Sequence, residues 1–172
     1  MSAIDKLSIT SFRLLSFALA SVSIFSLLHK KQPPFSGLGK LPNFDPMNYQ
    51  DARRYLENAK RILKEQAKPV NGRYSDRKYV RMAGDTAWKG VLIAAGNWLN
   101  AKGLKWDKRT RPDVNWFEKE IGARNRKLLS HFTDAYDILH CSMGYDGTLS
   151  INISKEGLAQ AEAFIRLCEN DS

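Results

Sequence analysis

The segment DRKYVRMAGDTAWKGVLIAAGNWLNA, residues 76–101, decides the fold. Val80, Ala83, Ala87, Val91, Leu92, Ala94, Ala95, Trp98 and Leu99 return at steps that fit the turn of an α-helix, so a helix is expected from about Asp76 to Ala101. Gly84, Gly90 and Gly96 lie among them, and small residues dominate one side. Each glycine in a helix interior costs about 1 kcal/mol relative to alanine, so their presence implies close approach to a neighbouring helix or to a partner chain. This is the expected central helix.

Upstream, Ala52, Tyr55, Leu56, Ala59, Ile62 and Leu63 form one apolar stripe while Arg53, Arg54, Lys60 and Lys64 point away, predicting a helix from about Asn48 to Ala67. Pro69 and the Asn71-Gly72 pair end it in a turn, and Ser75 or Asp76 can cap the next helix. Downstream, Gly103 closes the central helix. Asp113, after Pro112, is expected to cap a long helix through about Ser142, with Val114, Phe117, Ile121, Leu128, Phe132, Leu139 and Met143 on one face and Tyr136 at its flank. That helix either bends near Gly122 or divides there. Gly144-Tyr145-Asp146-Gly147 ends it, and Ser154 begins a last helix burying Leu158, Ala161, Phe164, Ile165 and Cys168. No segment alternates with period two for long, and Leu149 to Ile153 is too short to found a sheet. The fold expected for residues 47–172 is an all-α bundle of four to five helices.

Residues 1–46 differ in kind. Leu14 to Leu28 carries no charge, is flanked by Lys6, Arg13, Lys30 and Lys31, and falls short of the roughly twenty apolar residues a membrane-spanning helix needs. Three readings stand: an anchor or signal segment, an over-extended start with Met47 as the true one, or a helix packed on the bundle. A Pro/Gly segment, Gln32 to Pro46, reads as a linker. Cys141 and Cys168 are spaced as lone thiols, which fits a reducing compartment; the localisation expected is cytoplasmic, the alternative being membrane anchoring through residues 14–28.

The chain has 27 Lys and Arg against 18 Asp and Glu, a net charge of +9 that favours acidic or polyanionic partners, RNA among them. One concentration of it, Lys102, Lys105, Lys108, Arg109 and Arg111 around Trp106, offers an aromatic for base stacking and cations for phosphates, or is a solvated loop whose Trp folds back on the core. No phosphate loop, nucleophile elbow, metal-binding helix or calcium loop is present, and neither a cofactor nor a metal site is expected.

On one continuous helix, Arg124 and His131 fall on the same flank of the apolar stripe, about two turns apart. An imidazole can move a proton from a ribose hydroxyl and a guanidinium can stabilise phosphoryl charge, which together make a minimal metal-independent ribonuclease, tightest where two chains meet. The bland reading pairs Arg124 with Glu120 and leaves His131 half-buried. Asp85 and Asn97 are expected to face solvent or cap a packing contact, the alternative being that they enter a cleft, and His140 is expected to be structural.

Arg124, Asn125 and, after five further residues, His131 resemble the motif of the HEPN (higher eukaryote and prokaryote nucleotide-binding) superfamily, although the Tyr that many members carry two positions after the His is here Thr133. That resemblance implies a helical bundle, often dimeric, with Arg124, Asn125 and His131 as catalytic residues. The segments YLENAK at 55–60, AGDTAWKGVL at 83–92 and ILHCSMGYDG at 138–147 resemble an uncharacterised domain-of-unknown-function family of small bacterial helical bundles, which brings no function. Two functions follow as expectations: a non-catalytic interaction module that self-associates through the glycine-lined helix, and, as the alternative, a HEPN-like ribonuclease or RNA- or nucleotide-binding protein.

Overall fold

Helix α1 (Gln50–Glu65) turns its stripe Ala52, Leu56, Ala59 and Leu63 wholly inward. The structure, a computed structural model, describes residues 49–105 and 112–172. The expectations for residues 1–46 lie outside the described residues.

After α1 the chain forms a short hairpin, β1 (Pro69–Val70) and β2 (Arg73–Tyr74), joined by Asn71 at φ 48° and Gly72 at φ 78°. A two-residue hairpin turn whose twist suits its strands requires positive φ at both positions, and Asn-Gly supplies it at least cost. The expected turn is therefore a small antiparallel ladder.

Helix α2 (Arg77–Ala101) begins at Asp76, whose carboxylate accepts from the Lys78 amide at 2.9 Å. Every residue from Gly90 to Leu99 is buried, so this helix is the axis of the bundle. Its glycines allow two separate close approaches. A Cβ on Gly90 would lie 2.8 Å from the Ala52 carbonyl oxygen of α1, and one on Gly84 would lie 2.5 Å from the Leu139 carbonyl oxygen and 2.7 Å from the Met143 Cβ. Both partners belong to the same chain, so at Gly84 and Gly90 the close approach is to neighbouring helices, the first of the two alternatives.

The long third helix is three pieces: α3 (Val114–Gly122), α4 (Arg126–Ala135) and a wider π-helix, π1 (Tyr136–Tyr145). The division falls at Asn125, extended at φ −149° and ψ 101°, whose side chain accepts from the Leu128 amide at 3.0 Å. An Asn that bonds nearby backbone offers the chain an alternative to the helical ladder, and here it restarts the helix. The apolar residues still point inward: Phe132 packs on Trp88, Phe117 and Phe164 with ring centroids 5.2, 5.9 and 5.5 Å apart.

Helix α5 (Ile151–Asn170) starts a turn earlier than expected, capped by Ser150; Ser154 is buried inside it and donates to the Ser150 carbonyl at 3.2 Å. Residues 149–150 do not found a sheet. They dock on the hairpin, through an Arg73–Ser150 bridge and a bond from the Tyr74 amide to the Leu149 carbonyl at 2.9 Å.

The end of α5 is tied back to the bundle. Trp98 Nε1 donates to the Asp171 carboxylate at 3.1 Å, Lys102 pairs with that carboxylate at 3.3 Å, Arg53 pairs with Glu169, and the Tyr49 hydroxyl bonds Ser172 Oγ. Burial pushes the Tyr49 hydroxyl up to about 12, against a weaker lowering by its bond to Ser172. Cys141 and Cys168 are both free thiols, and burial raises Cys168 well above the usual range. Among the described residues no helix is long and apolar enough to cross a membrane.

Candidate functional site

The fold sends Arg124 and His131 to different neighbours. Arg124 is in the joint between α3 and α4, so the single wheel that put it on one flank with His131 does not exist. It turns back along α3 and donates to both the carbonyl and the carboxylate of Glu120, each at 2.8 Å. Asn125 is the cap of α4. His131, on α4, faces α5, where its Nδ1 donates to Gln160 Oε1 at 2.7 Å; Gln160 in turn donates to Glu156 at 2.6 Å. That chain of bonds leaves Nε2 as the acceptor nitrogen of the ring.

In the basic loop, Lys102 is held by Asp171 and lies over the Trp98 ring at 5.6 Å, while Lys105 is exposed. Trp106, Lys108, Arg109 and Arg111 lie outside the described residues.

The segments 83–92 and 138–147 come together. His140 stacks on Tyr136 and Trp88, with centroids 5.4 and 6.2 Å apart, and its Nδ1 is 3.8 Å from the Asp85 carboxylate. The Trp88 indole N–H is buried without a hydrogen-bond partner among the described residues. Burial raises the Tyr136 hydroxyl, with nearby Cys141 adding to the effect. Asp85 is exposed and Asn97 is 2% exposed, each within one of the alternatives expected for them, solvent for the first and a packing contact for the second. Trp88 is buried while Tyr136 and His140 are half-buried, so the stack stands at the edge of the core beside the π-helix.

A second basic region, which sequence reasoning passed over, stands at the hairpin end. Arg73 on β2 and Arg77 and Arg81 on the first turns of α2 are exposed, and among the described residues none has a carboxylate partner. Three of the five cations of α1 differ: Arg53, Arg54 and Lys60 pair with Glu169, Asp51, Glu57 and Glu162, whereas Arg61 and Lys64 have no carboxylate partner among the described residues. Arg77 and Arg81 run side by side over Gly147, where a Cβ would strike Arg77 Cγ and come within 2.9 Å of Arg81 Nε. Gly147 is also at φ 66°, so both its conformation and the space over it call for glycine. Beside it, Tyr145 is 70% exposed. Two arginines one turn apart in the sequence were a visible signal; the glycine beneath them was not.

Residues 47–170 match the family described as Domain of unknown function (DUF5618). The chain belongs to the DUF5618 family. A solved structure, a protein of unknown function from Dyadobacter fermentans, is similar to this DUF5618 bundle at a TM-score of 0.63 and 35% identity, covering 71% of this chain and 92% of that one. No curated protein matches it. The DUF5618 match spans the joint at Arg124, the His140 stack and the hairpin end alike, so the family itself favours none of them as a site.

Proposed function

We propose that this DUF5618 bundle is a non-catalytic interaction module that engages a polyanionic partner through its hairpin end. The observation that carries the reading is the Arg77–Arg81 pair over Gly147, two like charges held together with neither in an ion pair among the described residues. Like charges at this helical spacing cost a few tenths of a kcal/mol, and a bound anion relieves the repulsion. The net charge of +9 adds a long-range field that draws such a partner in.

Retention on immobilised heparin tests this. The variant R77E/R81E is expected to elute at lower salt than R54E/K64E, which makes the same change in net charge on α1. Equal elution of the two would show that total charge alone governs binding and would remove the proposal.

The HEPN-like ribonuclease is the second reading, supported by the Nε2 of His131, an acceptor on the neutral ring with no hydrogen-bond partner among the described residues, and opposed by the Arg124–Glu120 pair. Metal-free incubation with single-stranded RNA should give no cleavage by the wild type or by H131A. Cleavage that H131A abolishes would establish the enzyme instead. The faces of Gly84 and Gly90 are filled by π1 and α1 of the same chain, so neither supports a reading of self-association.

A further inference from the structure

Resting on the reading of the hairpin end as a polyanion-binding face, we infer that its partner is a single-stranded nucleic acid, gripped at a backbone phosphate by Arg77 and Arg81 and at a base by Tyr145.

Arginines without an ion pair among the described residues would by themselves serve any polyanion; the aromatic beside them narrows the class. Tyr145 exposes more of itself than any other large apolar side chain among the described residues, yet it does not sit on a loose loop. The backbone that carries it is bonded on every side: the Asp146 amide donates to the Cys141 carbonyl at 2.9 Å, Gly147 to Met143 at 3.0 Å and Thr148 to Ser142 at 2.9 Å. A ring presented to water by a fixed backbone is a prepared stacking platform, and base stacking on such a ring is tolerant of sequence. Tyr145 and Gly147 are two residues apart, at most roughly 7 Å along the chain, so ring and arginines lie within reach of adjoining parts of one strand.

The other exposed large apolar residues agree. Val70, Met82 and Ile153 stand on the hairpin, the second turn of α2 and the first turn of α5, the elements that meet at this end. Guanidinium forks match phosphate geometry better than ammonium groups do, and three of the cations here are arginine. A duplex would satisfy the arginines but offers no unstacked base to Tyr145. An acidic peptide would satisfy them too, with nothing planar for the ring.

The test uses the full chain and fluorescence anisotropy with labelled oligo(rU) and oligo(dT) of about 12 nucleotides, within the usual site size of single-strand binders. Comparison probes are a duplex and poly-glutamate of matched length. Both single strands, or one of them, should bind more tightly than the duplex and poly-glutamate. Y145A should raise the Kd for single strands roughly 5- to 150-fold while leaving heparin elution unchanged, and Y145F should retain binding. R77A/R81A should weaken single-strand binding and heparin retention together. If Y145A leaves the Kd unchanged, or the duplex or poly-glutamate binds as tightly, the inference is overturned and the polyanion reading survives. If R77A/R81A also alters neither measurement, both fall.

Discussion

Gly84→Ala adds one methyl group where α2 meets π1, and its consequence can be worked from the contacts. The new Cβ would stand 2.5 Å from the Leu139 carbonyl oxygen, 2.7 Å from the Met143 Cβ and 2.8 Å from the Gly144 amide nitrogen, each well inside van der Waals contact. Two of the three are backbone atoms, so no side chain can simply rotate away, and the two helices must separate. Overpacking of this kind costs about 1–3 kcal/mol, and three simultaneous contacts put it at the upper end. Alanine's better helix propensity returns about 1 kcal/mol. The net loss of about 2 kcal/mol should lower Tm by roughly 6–10 °C for a domain of this size. Gly103→Ala is the comparison: its φ of 81° resists alanine, but among the described residues beyond its chain neighbours no atom stands within 4 Å of the new methyl, so backbone strain of about 1 kcal/mol is the expected cost. Thermal unfolding followed by far-UV circular dichroism measures both. A G84A protein that melts with or above the wild type would refute the claim that this glycine exists for helix approach.

Gly90→Leu should unfold the protein or strongly lower its Tm, since the new side chain would enter the α1–α2 contact at Ala52; a folded variant with altered association in sedimentation would contradict the buried placement. Asn125→Ala removes the α4 cap and should cost about 1 kcal/mol in urea denaturation, with RNA left uncleaved as in the wild type. Desolvation works against it, yet hydrogen bonds and charge from Trp98 and Lys102 hold the Asp171 carboxyl below its ordinary 3.8. A depressed carboxyl stabilises the fold above its ordinary pKa and loses that contribution as pH falls through the folded value. The stability difference between wild type and Asp171→Asn should therefore shrink on acidification from about pH 5 towards pH 2; a difference that holds constant would count against the tie at Asp171.

Much of the bundle was legible because burial imposes a period. The stripes of α1, α2 and α5 carry it, and the glycines of α2 announced close approach before either neighbour was known. What escaped was decided by single side chains. Asn125 reads as an ordinary helical residue in a periodic segment, and only its bond to the Leu128 amide reveals a cap. Ser150 and Ser154 are equally good caps by type, and the docking of residues 149–150 on the hairpin selects the first. In the candidate site, the Arg124–Glu120 pair was readable from four-residue spacing. The Arg77–Arg81–Gly147 arrangement was not, because it joins residues some seventy positions apart through the packing of π1 on α2.

The bond between the Tyr49 hydroxyl and Ser172 places the first described turn of the bundle against its last residue. The first and last described turns of the bundle thus meet at one spot, with Arg53 and Glu169 beside it. A module with that property can be spliced into an exposed loop of another protein without stretching its host, and its ends can be fused and reopened elsewhere, with the hairpin tip at Asn71-Gly72 offering an exposed place to cut.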